Sequence, residues 1–141
     1  MIQYEWFSGA APKDALDIRI EVFCVEQGYS LPEELDDLDE RSWHLVAYED
    51  GTAIGTGRMY AGSGEIHIGR LAVRKNKRGS GLGAGLMAEM EKKAVALGYS
   101  AALLSAQCRA AGFYEKRGYA REGAPYMDGH VEHIQMRKDL T

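Results

Sequence analysis

The order of apolar and polar positions predicts short strands separated by three helices. Strand-like runs, in which apolar residues alternate or stand together, occur at residues 3–7, 43–48, 52–60, 65–73, 101–106, 119–122 and 131–138. Helical spacing covers residues 12–25, a long segment ending near 97, and 109–117. The first helix is predicted to bury Leu16, Ile20 and Phe23. The second is predicted to bury Leu82, Leu86, Met90, Ala94 and Leu97, with Gly98 as its C-terminal cap.

The connections between these elements set the expected topology. Asp50-Gly51 is typical of a tight hairpin, and Gly62-Ser63-Gly64 marks a second turn, so the first half is predicted to be antiparallel. The long helix within residues 66–105 requires a parallel crossover between the strands on either side. The sequence therefore predicts one α/β domain over residues 1–141. Its mixed central sheet has an antiparallel N-terminal half, one parallel strand–helix–strand crossover and flanking helices.

Composition and charge exclude several functional classes. Apolar residues make up 45% and charged residues 27% of the chain, as in ordinary globular domains. No apolar run approaches the ~20 residues that cross a bilayer, and residues 1–6 do not resemble a secretory signal, so we expect a cytoplasmic protein without a membrane partner. The net charge of −4 argues against nucleic-acid binding. Cys24 and Cys108 lack metal-site spacing, and we expect no metal and no disulfide.

A glycine-rich loop carries the main chemical signal. Arg78-Gly79-Ser80-Gly81-Leu82-Gly83 follows a strand and opens the long helix, and four of the five residues 74–78 are basic. Free N–H groups at a helix start attract anions, and glycine lets the backbone approach a phosphate closely. The alternative is a mobile turn with a solvated basic face.

Three kinds of phosphate loop can be compared with this segment. A Walker loop is excluded, because no Gly-Lys-Ser/Thr follows four spacers. Gly79, Gly81 and Ala84 fit a dinucleotide fingerprint, but the acidic residue expected about 20 positions later is missing at Leu104–Gln107. The third pattern, Arg-x-x-Gly-x-Gly, cradles the pyrophosphate of coenzyme A and fits the elements on both sides.

Four further sequence blocks lie in order around this loop. The first comprises residues 19–28 together with the acidic residues 36–39, and the others are residues 69–73, residues 105–119 and residues 129–136. The third contains Phe113-Tyr114-Glu115-Lys116 followed by Gly118-Tyr119. Over about residues 19–138, this arrangement resembles the GCN5-related N-acetyltransferase (GNAT) superfamily, and in particular its small bacterial ElaA-like subgroup. Two positions depart from the subgroup, since Ser105 stands where Asn is frequent and Glu132 where Pro is frequent.

The resemblance implies a function. It implies an acetyl-CoA-dependent N-acetyltransferase that moves the acetyl group directly from the thioester to a primary amine of a small molecule or a protein. Members are often homodimers. Two alternatives stay open at this point: a non-catalytic acyl-CoA-binding regulatory module, and a nicotinamide dinucleotide binder.

The resemblance also assigns residues on the cofactor side. Tyr114 is expected to protonate the departing thiolate, although a tyrosine packed in the core is the alternative. A backbone N–H of Ala72 or Val73 is expected to polarise the thioester carbonyl. The expected cofactor contacts are Leu71, Ala72, Val73, Arg78, Gly79, Ser80, Gly81, Leu82, Gly83, Ala84, Gln107 and Lys116, with added charge from Lys77.

The acceptor side is less defined by the sequence. The expected substrate residues are Glu26, Gln27 and His133. The general base is left open among Glu26, Glu65, His67, His133 and a water held by such groups. Residues 33–40 hold six acids, which would either attract a cationic amine or form a solvated loop.

Overall fold

A computed structural model describes all 141 residues and centres on a seven-stranded sheet. The strands are β1 (Ile2–Ser8), β2 (Ser42–Glu49), β3 (Thr52–Ala61), β4 (Ile66–Val73), β5 (Ala101–Gln107), β6 (Ala120–Asp128) and β7 (Val131–Asp139). They lie in the order β1-β2-β3-β4-β5-β7-β6, and only β4 and β5 run parallel. The predicted mixed sheet with one parallel crossover is confirmed.

Four α-helices, one π-helix and three 3₁₀ turns connect these strands. The helices are α1 (Lys13–Arg19), α2 (Leu31–Glu34), α3 (Leu82–Ala96) and α4 (Ala111–Glu115). α1 continues as a π-helix over Ile20–Glu26, and 3₁₀ turns cover Asp37–Arg41, Lys75–Lys77 and Cys108–Ala110. No helix in the chain is long and apolar enough to span a membrane.

The helices pack on both faces of the sheet. Leu45 and Ala47 of β2 join the cluster under α3, which includes Leu86 and Met90, whereas Val46 between them joins Ala15, Ile18 and Val22 of the first helix. Because successive strand residues point to opposite faces, α3 and the first helix cover opposite faces. α4 lies on the α3 face, where Phe113 packs against the same cluster.

Glycines in β3 let α3 approach the sheet closely. A Cβ at Gly57 would lie 2.7 Å from both Sδ and Cε of Met90. A Cβ at Gly55 would lie 3.0 Å from side-chain atoms of both Leu82 and Leu86. The long helix therefore rests directly on the β3 backbone, and this fixes where its N-terminus lies relative to the sheet.

The predicted buried face of the first helix is wrong. Ala15, Ile18, Arg19 and Val22 are buried, whereas Ile20 is exposed. Leu16 and Phe23 are only half-buried. The true stripe contains an arginine that is 1% exposed, and a sequence pattern assigns such a residue to solvent.

Two element ends also differ from expectation. Leu97 is 42% exposed, because α3 already ends at Ala96 and Gly98 turns the chain away with φ +95°. β6 continues to Asp128 rather than ending at 122. Its register shifts between Glu122 and Tyr126, and an edge strand tolerates the glycine and proline in that stretch.

Candidate active site

The central cavity opens where the parallel strands part. β4 and β5 pair only from Ile66↔Ala102 to Ile68↔Leu104. Just beyond, Arg70 adopts φ +49°, and the register of β3 against β4 shifts at the same place. This bulge bends β4 away from its neighbour. The gap continues into a cavity of about 1080 Å³ that is lined by both strands, the glycine loop and α4.

One end of the cavity is built to hold an anion. Gly81 caps α3 with φ +87°, and the first helical hydrogen bond runs from the Gly85 N–H to the Gly81 carbonyl. The N–H groups of Leu82, Gly83 and Ala84 therefore have no partner in the chain, and all three residues line the cavity. Open helix-start donors suit the phosphates of a nucleotide cosubstrate.

The basic residues of this end already carry acidic partners. Arg78 lines the cavity, donates from Nε to the Val73 carbonyl at 3.0 Å, and donates from its terminal nitrogen to Glu26 at 2.6 Å. Lys77 is paired with Glu49. Glu26, expected on the acceptor side, is thus tied to the anion-binding end and does not line the cavity.

Nine of the twelve residues expected to contact the cofactor line the cavity: Leu71, Val73, Arg78, Gly79, Gly81, Leu82, Gly83, Ala84 and Gln107. The other three lie elsewhere. Ala72 is buried under the first helix, and the Ser80 hydroxyl donates to the Lys77 carbonyl at 2.6 Å. Lys116 borders a separate depression beside α3.

Arg117 and Phe113, which were not among the expected contacts, also line the cavity. Arg117 rather than Lys116 lines the main cavity, with its guanidinium 4.0 Å from the centre of the Phe113 ring. The missing Cβ of Gly83 makes room for that same ring, since a Cβ there would lie 3.2 Å from Phe113. Gly83 therefore serves helix packing as well as backbone exposure.

Tyr114 lines the cavity from the α4 side. Its ring packs edge-on against Phe113 and Tyr119 within the α3-side core. Burial raises the pKa of the Tyr114 phenol to about 12, and no charge or hydrogen bond contributes to the shift. The hydroxyl thus stays protonated at neutral pH, and it belongs to a residue of the cavity wall.

The other end of the cavity lies on the opposite face of the sheet and is rich in polar side chains. Gln27 and His133, the other two residues predicted to contact the substrate, line it. The Gln107 amide donates to the Gln27 side chain at 2.7 Å, and the Tyr29 hydroxyl donates to the Asp128 carbonyl at 3.2 Å. These bonds join the segment after the π-helix to the ends of β5 and β6.

Three of the six acids in the run near this end are paired with arginines. Arg19 binds Glu34 and Asp39 at 2.9 Å each. Arg58 binds Asp36 at 2.7 Å and Asp39 at 3.0 Å. Burial works against ionisation of Asp39, but the hydrogen bonds from both arginines outweigh it and hold the pKa of its carboxyl below its usual range. These carboxylates therefore stabilise the loop rather than standing free.

Arg58 and Arg70 line the cavity, and sequence reasoning missed both. Arg70 binds the acidic loop through Asp36 at 3.1 Å and the Glu34 carbonyl at 3.0 Å. The residue at the β4 bulge is thus held by the loop that borders the acceptor end. Arg70 has a positive φ, which is unusual for a residue other than glycine. This feature is visible in the folded structure but not in the sequence.

The other candidate bases have partners of their own. Glu65 lies 3.5 Å from Arg137. His67 lines the cavity with its ring stacked on Tyr60, 5.1 Å between centroids. No group of three or more His, Cys, Asp or Glu side chains in the chain could hold a metal ion.

Comparisons with known proteins identify the class of this site. A family model for the acetyltransferase (GNAT) domain matches residues 11–140. A Bacillus subtilis protein described as the uncharacterized N-acetyltransferase YjcF is 38% identical over 90% of this chain and 91% of its own. An acyl-CoA N-acyltransferase from Pseudomonas aeruginosa is 29% identical, with a TM-score of 0.88 over 98% of this chain and 99% of its own. Escherichia coli ElaA shares the fold, with a TM-score of 0.87 at 22% identity over 99% and 100%.

The chain belongs to the GNAT family, and it is an acyltransferase of that family. The resemblance of its sequence blocks to the superfamily is confirmed. The coenzyme A class of cosubstrate fits the unpartnered N–H groups at the start of α3.

Proposed function

We propose that this protein is an N-acetyltransferase that moves an acetyl group from acetyl-CoA directly to a primary amine. The observation that carries the proposal is the chemical difference between the two faces of the sheet at the β4–β5 gap. The α3 side offers free N–H groups and the Tyr114 phenol, and the opposite side offers His133 and carboxylates. A thioester and an amine can therefore approach the gap from opposite faces.

The edge of β4 supports a role in holding the thioester arm. The Arg74 N–H donates to the Ile54 carbonyl of β3. Because backbone groups alternate along a strand, the N–H of Val73 points away from β3, toward the side that β5 has left. Val73 lines the cavity, so its N–H is available to polarise a carbonyl there.

Tyr114 is proposed as the general acid. When acetyl transfer breaks the bond between carbonyl carbon and sulfur, the sulfur needs a proton. A phenol is protonated at neutral pH at its ordinary pKa, and burial raises the pKa of this one to about 12, so the Tyr114 hydroxyl carries the proton that the sulfur needs.

The cysteines favour direct transfer over a covalent enzyme intermediate. Partial burial, with the neighbouring Glu132 carboxylate, raises the pKa of the Cys108 thiol above its ordinary value. This thiol does not line the cavity. A protonated thiol outside the cavity is a poor acyl carrier.

The test combines calorimetry with an amine screen. Acetyl-CoA is titrated into the purified protein with NADH as the control, and thiol release is then followed with spermidine, kanamycin, ethanolamine and a peptide with a free N-terminus. Acetyl-CoA binding with transfer to at least one amine supports the proposal. Binding without transfer to any amine would favour a regulatory module, and no binding by folded protein would overturn the site itself.

Tyr114→Phe tests the acid directly. We expect kcat to fall about 100-fold, the typical contribution of one proton-transfer group, while the Kd for acetyl-CoA stays within about twofold. Tyr119→Phe is the matched control, because that hydroxyl lies in the same aromatic cluster but donates to Glu91 outside the cavity. Equal kcat values in Tyr114→Phe and wild type would remove Tyr114 from the role.

A further inference from the structure

One histidine at the acceptor end is buried and has a ring nitrogen that makes no hydrogen bond within the chain. His133 is 6% exposed and lines the cavity from β7. Its neighbours along β7, Ile134 and Met136, pack in the α3-side core with Leu104 of β5. Strand alternation therefore places His133 on the opposite face, from which we propose that the amine enters.

The hydrogen bonding of this ring fixes its tautomer. The Nδ1 atom of His133 lies 2.9 Å from the Val131 carbonyl oxygen. A carbonyl can only accept, so Nδ1 carries the proton of the neutral ring. Nε2 then holds a lone pair and makes no hydrogen bond within the chain. A buried basic nitrogen that faces a cavity without a partner is suited to take a proton from a ligand.

The other histidines differ in this respect. Nε2 of His44 lies 2.9 Å from the carbonyl oxygens of both Gly9 and Asp39, so it is a hydrogen-bond donor that holds these two backbone segments. Nε2 of His130 lies 2.6 Å from the Gln27 carbonyl and is likewise a donor. His67 also lines the cavity, but it is only half-buried and its ring stacks on Tyr60. Of the four histidines, His133 alone combines burial, a place in the cavity wall and a free Nε2 lone pair.

A carboxylate stands beside that lone pair. Oδ2 of Asp128 lies 3.9 Å from Nε2 of His133, and Asp128 lines the cavity. No lysine or arginine pairs with Asp128, in contrast to Asp36 and Glu34 of the acidic run. Alkyl amines are cationic at neutral pH, so a free carboxylate next to a free base is complementary to a primary ammonium group.

We propose that His133 is the general base of the reaction, and that it deprotonates a primary ammonium group which Asp128 holds beside it. The inference rests on the proposed function and deepens it by assigning the acceptor as a cationic alkyl amine. Nε2 takes one proton from the ammonium, and Asp128 balances the resulting imidazolium. The neutral amine then forms the bond to the acetyl carbon as the carbon–sulfur bond breaks. As the sulfur takes the phenol proton of Tyr114, the second nitrogen proton passes to the Tyr114 phenolate and restores the phenol. The imidazolium of His133 then returns the first proton to solvent.

The decisive experiment compares two small acceptors that differ in charge. Ethanolamine is protonated at neutral pH, whereas hydroxylamine is mostly neutral and has no ammonium proton for His133 to remove. His133→Asn keeps an N–H for the Val131 carbonyl but removes the Nε2 lone pair. We expect kcat/KM for ethanolamine to fall about 100-fold, and kcat/KM for hydroxylamine, after subtraction of the uncatalysed rate, to change by less than about threefold.

Controls separate chemistry from folding and from the proposed function. His130→Gln, three residues away and outside the cavity wall, is expected to keep wild-type rates. Added imidazole is expected to restore ethanolamine transfer in His133→Ala, and Asp128→Asn to raise KM for ethanolamine more than it lowers kcat. An equal loss with both acceptors and no rescue, or no loss at all, would overturn the inference while leaving the acetyltransferase standing. A wild-type protein that transfers to neither acceptor, nor to any amine of the screen above, would overturn both.

Discussion

Because Glu26 is paired with Arg78, we expect acyl-CoA binding to be a competition between two anions. The Glu26 carboxylate lies 2.6 Å from the Arg78 guanidinium, whose Nε is held by the Val73 carbonyl. Arg78 lines the anion-binding end of the cavity and Glu26 does not. A phosphate that binds Arg78 must therefore displace or share this carboxylate. Glu26→Gln removes the competing charge and leaves the arginine in place, so we expect tighter binding.

The size of the effect follows from the exposure of the pair. The two side chains are 43% and 25% exposed, so the pair is partly screened by water. Ion pairs of this kind contribute about 0.2–1 kcal/mol. Release of that free energy corresponds to a Kd for acetyl-CoA up to about fivefold lower in the variant. Salt screens the charges in both proteins, so the difference in Kd between wild type and Glu26→Gln should shrink as ionic strength rises.

Calorimetric titration with acetyl-CoA measures this directly at low and high salt. Glu21→Gln is the matched control, because its carboxylate lies 2.6 Å from Arg74, a residue outside the cavity wall. We expect the control to bind as wild type does. Unchanged binding by Glu26→Gln would refute the competition, and weaker binding would show that the carboxylate instead helps to position Arg78 for the ligand.

Two further predictions concern stability. Gly57→Ala places a Cβ 2.7 Å from Met90 and should cost about 1–3 kcal/mol by overpacking, measured by urea unfolding. The cost should shrink in a Met90→Ala background, and an equal cost in both backgrounds would contradict the contact. Arg19→Leu leaves buried carboxylates without one partner and should cost about 3–5 kcal/mol, whereas Lys13→Ala, which breaks an exposed pair, should stay within about 0.5 kcal/mol. A small loss for Arg19→Leu would mean that the remaining arginines suffice.

Features that depend on neighbours in sequence could be predicted. The Asp50-Gly51 hairpin has positive φ at both residues, as its turn type requires, and it was predicted from two residues. The crossover and the loop before α3 also carry local signals, because a strand, glycines and a helix follow one another directly. The anion-binding end of the site belongs to this group.

The burial of charge could not be predicted in the same way. The first helix buries the stripe that contains Arg19, and a periodicity argument assigns an arginine to solvent. Its burial is tolerated only because Glu34 and Asp39, 15 and 20 residues away, close around the guanidinium. Partners at that separation leave no trace in a local pattern, so the predicted face was rotated by one position.

Ion pairs between residues distant in sequence also determine which carboxylate at the acceptor end is free to bind a cation. In the sequence, the six acids within residues 33–40 are the obvious attraction for an amine. In the fold, arginines from three separate elements engage Glu34, Asp36 and Asp39, and this neutralises half of the run. Glu33 lines the cavity, but its carboxylate accepts the Ser30 N–H in a helix cap. Asp128 is isolated in the sequence, yet it reaches the cavity without an arginine or lysine partner. The density of acids therefore marks where the loop is anchored, and a single unpaired carboxylate beside His133 marks where we expect a cationic substrate to bind.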